Sequence, residues 1–199
     1  MRGCYPAGLV LAALLALLAL AAPPAALSVR GGEFHGSAVV WDASRGHLLT
    51  ALHVVEEMPS VEVALPSGEL VPARVVDRDP MLDLALLAVD APLPPAPPLA
   101  RAPAAGDPVA LAGCPALACG TVAGAVAEPL RSFGGSRYVE LAAAVKPGAS
   151  GGPVLDARGA LVGLVDLSIR GGSVTLAVPA ARAAARFPRS AEGLSARAQ

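Results

Sequence analysis

The sequence is poor in aromatic and charged residues, which make up 3% and 16% of its 199 residues. Its 15 Lys and Arg nearly balance its 16 Asp and Glu, so the chain has no excess of positive charge to attract nucleic acid or an acidic surface. Its three histidines and three cysteines are not clustered with the spacing of metal ligands. We therefore predict no nucleic-acid binding and no metal site.

Residues 1–27 have the layout of a secretory signal peptide. Arg2 precedes an uninterrupted apolar run from Gly8 to Ala22. The run is shorter than the roughly 20 residues that a membrane-spanning helix needs. Ala19-Leu20-Ala21 offers a small-x-small cleavage site. We expect a secreted or periplasmic protein, with an uncleaved membrane anchor facing away from the cytoplasm as the alternative; membrane contact is expected only in that second case.

The rest of the chain reads as short strands separated by turns. Residues 60–65 and 70–76 alternate apolar and polar residues around a Pro-Ser-Gly-Glu turn, which is typical of a β-hairpin. Residues 91–103 are rich in proline, which denies the backbone both helix and ladder donors. This segment is predicted to be an extended connector, although a proline-rich ligand for another domain has the same composition.

A serine lies in a glycine-rich turn, Lys146-Pro147-Gly148-Ala149-Ser150-Gly151-Gly152-Pro153. Glycine adopts backbone angles that other residues avoid, so N–H groups near Ser150 can turn toward one point. Gly148 and Ser150 would then supply the donors of an oxyanion hole, as acyl transfer requires. An ordinary turn has the same composition. The distinction depends on whether a histidine and a carboxylate accompany the serine.

Two upstream segments supply those partners. His53 ends the apolar run Leu48-Leu49-Thr50-Ala51-Leu52, and Asp83 lies inside an apolar stretch, where an unpaired carboxylate would be costly. The order His, Asp, Ser resembles the trypsin-like serine peptidases, and most closely their bacterial high-temperature-requirement (HtrA) branch, over roughly residues 35–187. The most specific match is the segment 152–165, which resembles the family pattern Gly-Gly-Pro-Leu-x-Asn-x-x-Gly-x-Val-x-Gly-Ile.

The resemblance implies an all-β fold of two antiparallel β-barrels of the chymotrypsin/trypsin type with a short C-terminal helix. We expect a first barrel carrying His and Asp, an inter-barrel linker, a second barrel carrying Ser, and a disordered tail, in residues 28–90, 91–103, 104–187 and 188–199. The peptide-binding PDZ domain of many HtrA proteins is not expected in this sequence. A homotrimer is compatible with the resemblance, but the sequence does not define the oligomeric state.

The resemblance also implies an exported endopeptidase that hydrolyses peptide bonds of unfolded or misfolded proteins. Ser150 would be the nucleophile, His53 would accept its proton, and Asp83 would orient the imidazole. This chemistry requires neither a metal nor an organic cofactor. A catalytically latent or inactive domain that binds peptides would show the same residues.

The family also suggests where the specificity pocket lies. Its floor should be about six residues before the nucleophile, at Ala144, and its walls should come from the strands around Val165 and Thr175. An alanine floor cannot pair with a lysine or arginine side chain. We therefore expect small aliphatic residues at P1, unless Asp166 points into the pocket.

Cys114 and Cys119 are separated by four residues across a predicted hairpin. In an exported protein such a pair either forms a local disulfide or stays reduced, and the sequence leaves both states open. A redox centre of the Cys-x-x-Cys type is not expected, because the spacing differs.

Overall fold

The computed structural model describes residues 26–31, 34–56, 58, 60–115, 118–169 and 172–190. The predicted signal segment lies outside these ranges except for its last two residues. None of the helices in the described ranges has the length and hydropathy of a membrane span.

The first half of the chain forms a closed antiparallel barrel with the strand order β1-β2-β3-β6-β5-β4. Its strands are β1 (Ala26–Gly31), β2 (Phe34–Asp42), β3 (His47–Ala51), β4 (Val61–Ala64), β5 (Leu70–Asp79) and β6 (Leu84–Val89). A 3-10 turn at Ala43–Arg45 joins β2 to β3, and the one-turn helix α1 (Leu52–Val55) follows β3. Because every strand pairs with two neighbours, no sheet edge is left open.

The second half forms another closed antiparallel barrel, in the order β10-β11-β12-β9-β8-β7. Its strands are β7 (Pro108–Gly113), β8 (Gly120–Phe133), β9 (Ser136–Ala142), β10 (Pro153–Asp156), β11 (Leu161–Ile169) and β12 (Val174–Pro179). Helix α2 (Ala180–Arg186) follows β12. The predicted all-β architecture of two barrels and a C-terminal helix is confirmed.

The first barrel begins earlier than expected. Ala26 and Leu27, assigned to the signal segment from their composition, are the first residues of β1. Both are buried, and they pair with Val39 and Ala38 of β2. Apolar composition does not separate the end of a leader from the start of a buried strand, so the expected boundary at residue 28 is two residues too late.

The predicted disordered tail also needs a correction at its start. The Arg189 guanidinium lies 4.0 Å from the centre of the Trp41 ring and donates to the carbonyl oxygen of Pro97 at 2.6 Å. The Ser190 N–H donates to Asp42 Oδ2 at 2.7 Å. Arg189 and Ser190 are therefore bound to the first barrel and to the connector, while residues 191–199 lie outside the described part.

Apolar side chains of both barrels form one buried cluster between them, and polar contacts at α2 reinforce it. Trp41 of β2 is 1% exposed, and its indole N–H donates to the carbonyl oxygen of Phe187, just after α2, at 2.8 Å. Arg186 of α2 donates to both carboxylate oxygens of Asp77 at 2.8 Å and lies 3.0 Å from Asp79. Helix α2 therefore fastens the end of the second barrel to the first barrel, which fixes how the two barrels lie against each other.

The proline-rich segment 91–103 connects the two barrels, and residues 98–100 of this segment bond the first residue of β11. Leu161 donates its N–H to Pro98 at 2.7 Å, and its carbonyl accepts the N–H of Ala100 at 2.9 Å. These are two backbone contacts rather than a full strand, as expected where proline removes ladder donors.

Candidate active site

His53 and Asp83 meet where α1 packs against the chain just before β6. The His53 backbone N–H donates to Asp83 Oδ1 at 3.0 Å, and its ring Nδ1 bonds Asp83 Oδ2. The Asp83 carbonyl accepts the N–H of Leu52 at 2.8 Å. Both carboxylate oxygens thus bond His53, one at its backbone and one at its ring, and within the described residues the ring Nε2 has no hydrogen-bond partner.

Asp83 has a positive φ of 52°, and it is the one non-glycine residue with that geometry in the described ranges. Aspartate tolerates the left-handed region better than most residues, but the conformation still costs free energy unless its surroundings hold it. The three contacts with α1 do so here. The backbone at Asp83 is thus shaped to bring its carboxylate against His53.

The two groups shift each other's protonation. The hydrogen bond with Asp83 raises the pKa of His53 above its ordinary value, against the opposing effect of burial. Burial alone would raise the pKa of the Asp83 carboxyl, but the bonds from His53 outweigh it and hold that pKa below its ordinary value. Asp83 is therefore the charged carboxylate at neutral pH, and it stabilises a proton on His53.

Ser150 lies in a tight loop between β9 and β10. Gly151 has a φ of 82°, and a Cβ there would lie 2.1 Å from the carbonyl oxygen of Ser37 and 2.4 Å from Thr50 Oγ1. Distances under 3 Å do not occur between real atoms of these kinds, so only glycine fits beside the serine. The close approach places the Ser150 loop directly against strands β2 and β3.

Ser37 of β2 holds this loop from the other barrel. It is fully buried, and its N–H donates to the carbonyl oxygen of Ser150 at 2.9 Å. Its hydroxyl donates to the carbonyl oxygen of Gly148 at 2.7 Å and accepts the N–H of Cys114 at 2.8 Å. These three bonds show that Ser37 positions the serine loop.

The backbone donors of the loop divide into two groups. The N–H groups of Ala149, Gly151 and Gly152 bond the carbonyl oxygens of Lys146, Val165 and Ala149. Within the described part of the chain, those of Gly148 and Ser150 bond no protein acceptor. The two donors left unbonded are the two predicted for the oxyanion hole.

Asp166 of β11 links the serine to the histidine. Its carbonyl accepts the Ser150 hydroxyl at 3.1 Å, and its Oδ1 lies 3.9 Å from His53 Nδ1. Ser150 and the His53–Asp83 pair therefore each lie beside Asp166, and the direct approach of Ser150 to His53 stays a prediction. The Asp166 side chain faces His53.

Burial, followed by the neighbouring Asp83, raises the pKa of Asp166 to about 7. Burial, together with the charge of Asp166, raises the pKa of Tyr138 to about 12. His53, Asp83 and Asp166 offer ligand atoms within 4.8 Å of one another, the one such group in the described ranges. Because His53 Nδ1 is already hydrogen-bonded to Asp83, the cluster is arranged for holding protons rather than a metal ion.

The predicted pocket residues lie in the segment that leads to Ser150 or bond the chain around it. Ala144 is exposed, whereas Val165 and Thr175 are buried. The Val165 backbone bonds Gly151 and Gly152, while its side chain packs in the second barrel. The Thr175 hydroxyl donates to the carbonyl oxygen of Ala143 at 2.8 Å. These bonds position the loop, and the pocket itself stays a prediction.

Cys114 and Cys119 are joined by a disulfide, with 3.8 Å between their Cα atoms. The bridged segment lies against the serine loop, because a Cβ on Gly148 would be 3.0 Å from Pro115 Cα. The ring of His35 lies on the same glycine, 2.9 Å from that Cβ position. Gly148 is thus enclosed by its neighbours, which limits the conformations open to the oxyanion loop.

Two closed six-stranded barrels with a histidine, an aspartate and a serine at their interface define the chymotrypsin-like class of folds. Residues 36–164 match the family described as trypsin-like peptidase domain. The match covers more than half of the chain, which therefore belongs to the trypsin-like peptidase family.

Several of the similar proteins are HtrA-type proteases, which confirms the resemblance to this branch. Serine endoprotease DegS of Escherichia coli is 32% identical over 141 residues, 67% of this chain and 39% of DegS. The HtrA-type protease AlgW, solved with a tripeptide, is 30% identical with a TM-score of 0.76, covering 85% of this chain and 60% of that one. A serine endoprotease from Yersinia pestis is 27% identical with a TM-score of 0.73, covering 92% and 66%. The chain spans 20 to 39% of the length of the curated relatives it matches.

Proposed function

We propose that the protein is an exported serine endopeptidase that hydrolyses unfolded or misfolded polypeptides with Ser150, His53 and Asp83. The observation that carries this proposal is the pair of N–H groups at Gly148 and Ser150 left unbonded within the described residues, together with a histidine whose backbone N–H and ring Nδ1 bond the two oxygens of Asp83. The names of the relatives, serine endoproteases, support the same activity.

The reaction begins when the Ser150 hydroxyl turns from the Asp166 carbonyl toward His53 Nε2. His53 takes the proton as Oγ forms a bond to the scissile carbonyl carbon, and the resulting oxyanion accepts hydrogen bonds from Gly148 and Ser150. The C–N bond then breaks, and the amine leaves with the proton from His53. Water, activated by the same imidazole, hydrolyses the acyl-enzyme and restores Ser150.

Small aliphatic residues are the proposed P1 preference. Ala144 offers no charge to a lysine or arginine side chain, whose unpaired burial would cost several kcal/mol. Asp166 was the acid capable of reversing this preference, but its carboxyl group faces His53 and is 5% exposed. It is therefore occupied in the His53 cluster.

A latent peptide-binding domain is the second candidate, and one observation favours it. The Ser150 hydroxyl bonds the Asp166 carbonyl, so the nucleophile rests outside its reactive position. A protein held in that state would bind an extended peptide in the cleft without cutting it.

The test uses the full chain with casein as substrate and a fluorophosphonate probe. We expect hydrolysis and covalent labelling, both lost in Ser150→Ala and both retained in the matched surface variant Ser67→Ala. Residual Ser150→Ala activity within tenfold of the parent would exclude this nucleophile. Parent protein that binds casein peptides but neither cleaves them nor reacts with the probe would establish the latent alternative.

A further inference from the structure

Asp166 is a buried carboxyl group that the Ser-His-Asp mechanism does not use. Its side chain is 5% exposed, and its Oδ2 atom has no hydrogen-bond partner within the described residues. An ionised carboxylate in such a place would be strongly disfavoured without a compensating donor. The Asp166 carbonyl accepts the Ser150 hydroxyl, but any residue could supply that carbonyl, so the bond does not explain why a carboxyl group is buried here.

The local backbone explains why this side chain faces the site. Val165 pairs with Ala177 and Leu167 pairs with Leu176, so Asp166 is the extra residue at a bulge in the β11–β12 ladder. Bulges redirect a side chain relative to the regular alternation of a strand. Here the bulge turns a carboxyl group toward His53.

The groups that face Asp166 come from three elements. His53 of α1 lies 3.9 Å from Oδ1, and the Asp83 carboxyl is within hydrogen-bonding reach. The Tyr138 phenol of β9 is close to the same carboxyl group. Glu56, at the end of α1, acts on His53 by its charge. The nearest charged partner of Asp166, apart from the imidazole, is thus another acid.

Two carboxyl groups in one buried site cannot both ionise readily. Asp83 keeps the negative charge because it accepts two hydrogen bonds from His53. A proton on Asp166 turns one of its carboxyl oxygens from an acceptor into a donor, with the Asp83 carboxylate beside it as the acceptor. A single shared proton therefore satisfies both side chains.

We propose that Asp166 is a positioning residue of the catalytic site, whose protonated carboxyl group donates a hydrogen bond to Asp83 and helps that residue hold His53. This inference rests on the proposed function and adds to it a second acid with a distinct role. His53 is then oriented by two carboxyl groups, Asp83 and Asp166, that together carry one negative charge.

The arrangement makes the histidine sensitive to the protonation of Asp166. Burial raises the pKa of Asp166 to about 7, so its ionisation overlaps that of His53, whose pKa is also raised. Loss of the Asp166 proton adds a second negative charge beside His53, which stabilises the imidazolium ion and reduces the neutral base. The two groups titrate together, so the acid limb of the activity profile reflects the combined ionisation of Asp166 and His53.

The kinetic test compares the pH dependence of kcat/KM and kcat in the full-length parent and its variants. Asp166→Asn keeps the shape and can still donate to Asp83, so we expect its acid limb about 0.5–1 pH unit lower, with plateau kcat within threefold of the parent. Asp166→Leu removes the donor, and its plateau kcat should fall tenfold or more with little change in KM. Asp90→Asn, at the opposite end of β6 from Asp83, removes an exposed charge and should leave the profile unchanged.

An Asp166→Asn profile that superimposes on the parent's, or a plateau as low as that of Asp166→Leu, would overturn the inference. Melting temperatures of each variant separate these outcomes from a failure to fold.

A second measurement does not depend on activity. In the Ser150→Ala protein, carbon NMR should show the Asp166 carboxyl titrating near neutral pH, and the His53 ring should titrate at lower pH once Asp166→Asn is added. A parent that neither labels nor hydrolyses while these titrations hold would refute the peptidase and leave the shared proton standing. An active parent whose Asp166 titrates like an ordinary aspartate would refute the shared proton alone.

Discussion

The contact between the two barrels at Ser37 predicts a variant that weakens catalysis without touching the reacting residues. Ser37→Ala removes the hydroxyl that donates to Gly148 and accepts from Cys114. The bond from the Ser37 N–H to Ser150 is a backbone contact and remains. The loop is then held at Ser150 but no longer at Gly148.

The cost in stability follows from what is left behind. The Cys114 N–H is fully buried and loses its acceptor, while the partly exposed Gly148 carbonyl can turn to water. An unsatisfied buried donor and one weakened bond together cost about 2–4 kcal/mol. That lowers the melting temperature of a chain of this size by roughly 5–15 °C and leaves the protein folded.

The effect on catalysis should be confined to kcat. Removing one oxyanion donor costs about 100- to 1000-fold in other enzymes. Ser37→Ala keeps both donors but loosens one, so we expect a kcat about 10- to 100-fold lower. KM should stay within about twofold, because the oxyanion exists only after attack on the substrate.

Ser28→Ala is the matched control. Ser28 lies directly opposite Ser37 in the β1–β2 ladder, is 2% exposed, and has a hydroxyl without a partner among the described residues. Its removal should leave the melting temperature and kcat nearly unchanged. Peptide hydrolysis is measured about 20 °C below the lower melting temperature, a margin beyond the expected shift. If the kcat of Ser37→Ala there lies within twofold of that of Ser28→Ala, the assigned role of Ser37 is wrong.

Two further predictions concern the N-terminus of the mature protein and the residues after which it cleaves. N-terminal sequencing of the protein purified from its producing cells should find a start between Ala22 and Ala26, because Ala26 begins a buried strand; retention of Met1 would indicate an anchor instead. Profiling of cleavage sites should show mainly valine, alanine or leucine at P1, whereas dominant cleavage after arginine or lysine would show that Ala144 is not the pocket floor.

The strands and the pairing of His53 with Asp83 were predictable because each has a local signal, whereas the approach of Ser150 to His53 stays a prediction. Period-two alternation marks a strand wherever it lies, and the three residues stand in short motifs with a fixed order. The hairpin of β4 and β5 was read from the same alternation and lies where expected.

The roles of Ser37 and Asp166 had no local signal. Ser37 acts on a residue 111 positions away, so its role depends on how the barrels dock. Asp166 was considered as a pocket acid, but a bulge redirects it to His53. Whether a strand bulges depends on its pairing with β12, which the sequence of β11 alone does not reveal.

Helix α2 and the residues after it give the two barrels a second connection besides the segment 91–103. The Arg186 ion pairs, the Phe187 carbonyl bond to Trp41 and the stacked Arg189 all join the end of the second barrel to the first. A single cut in the proline-rich segment would therefore leave two fragments held in register by these contacts. We expect the nicked protein to keep its cleft, so the integrity of the active site does not require an unbroken chain between its two halves.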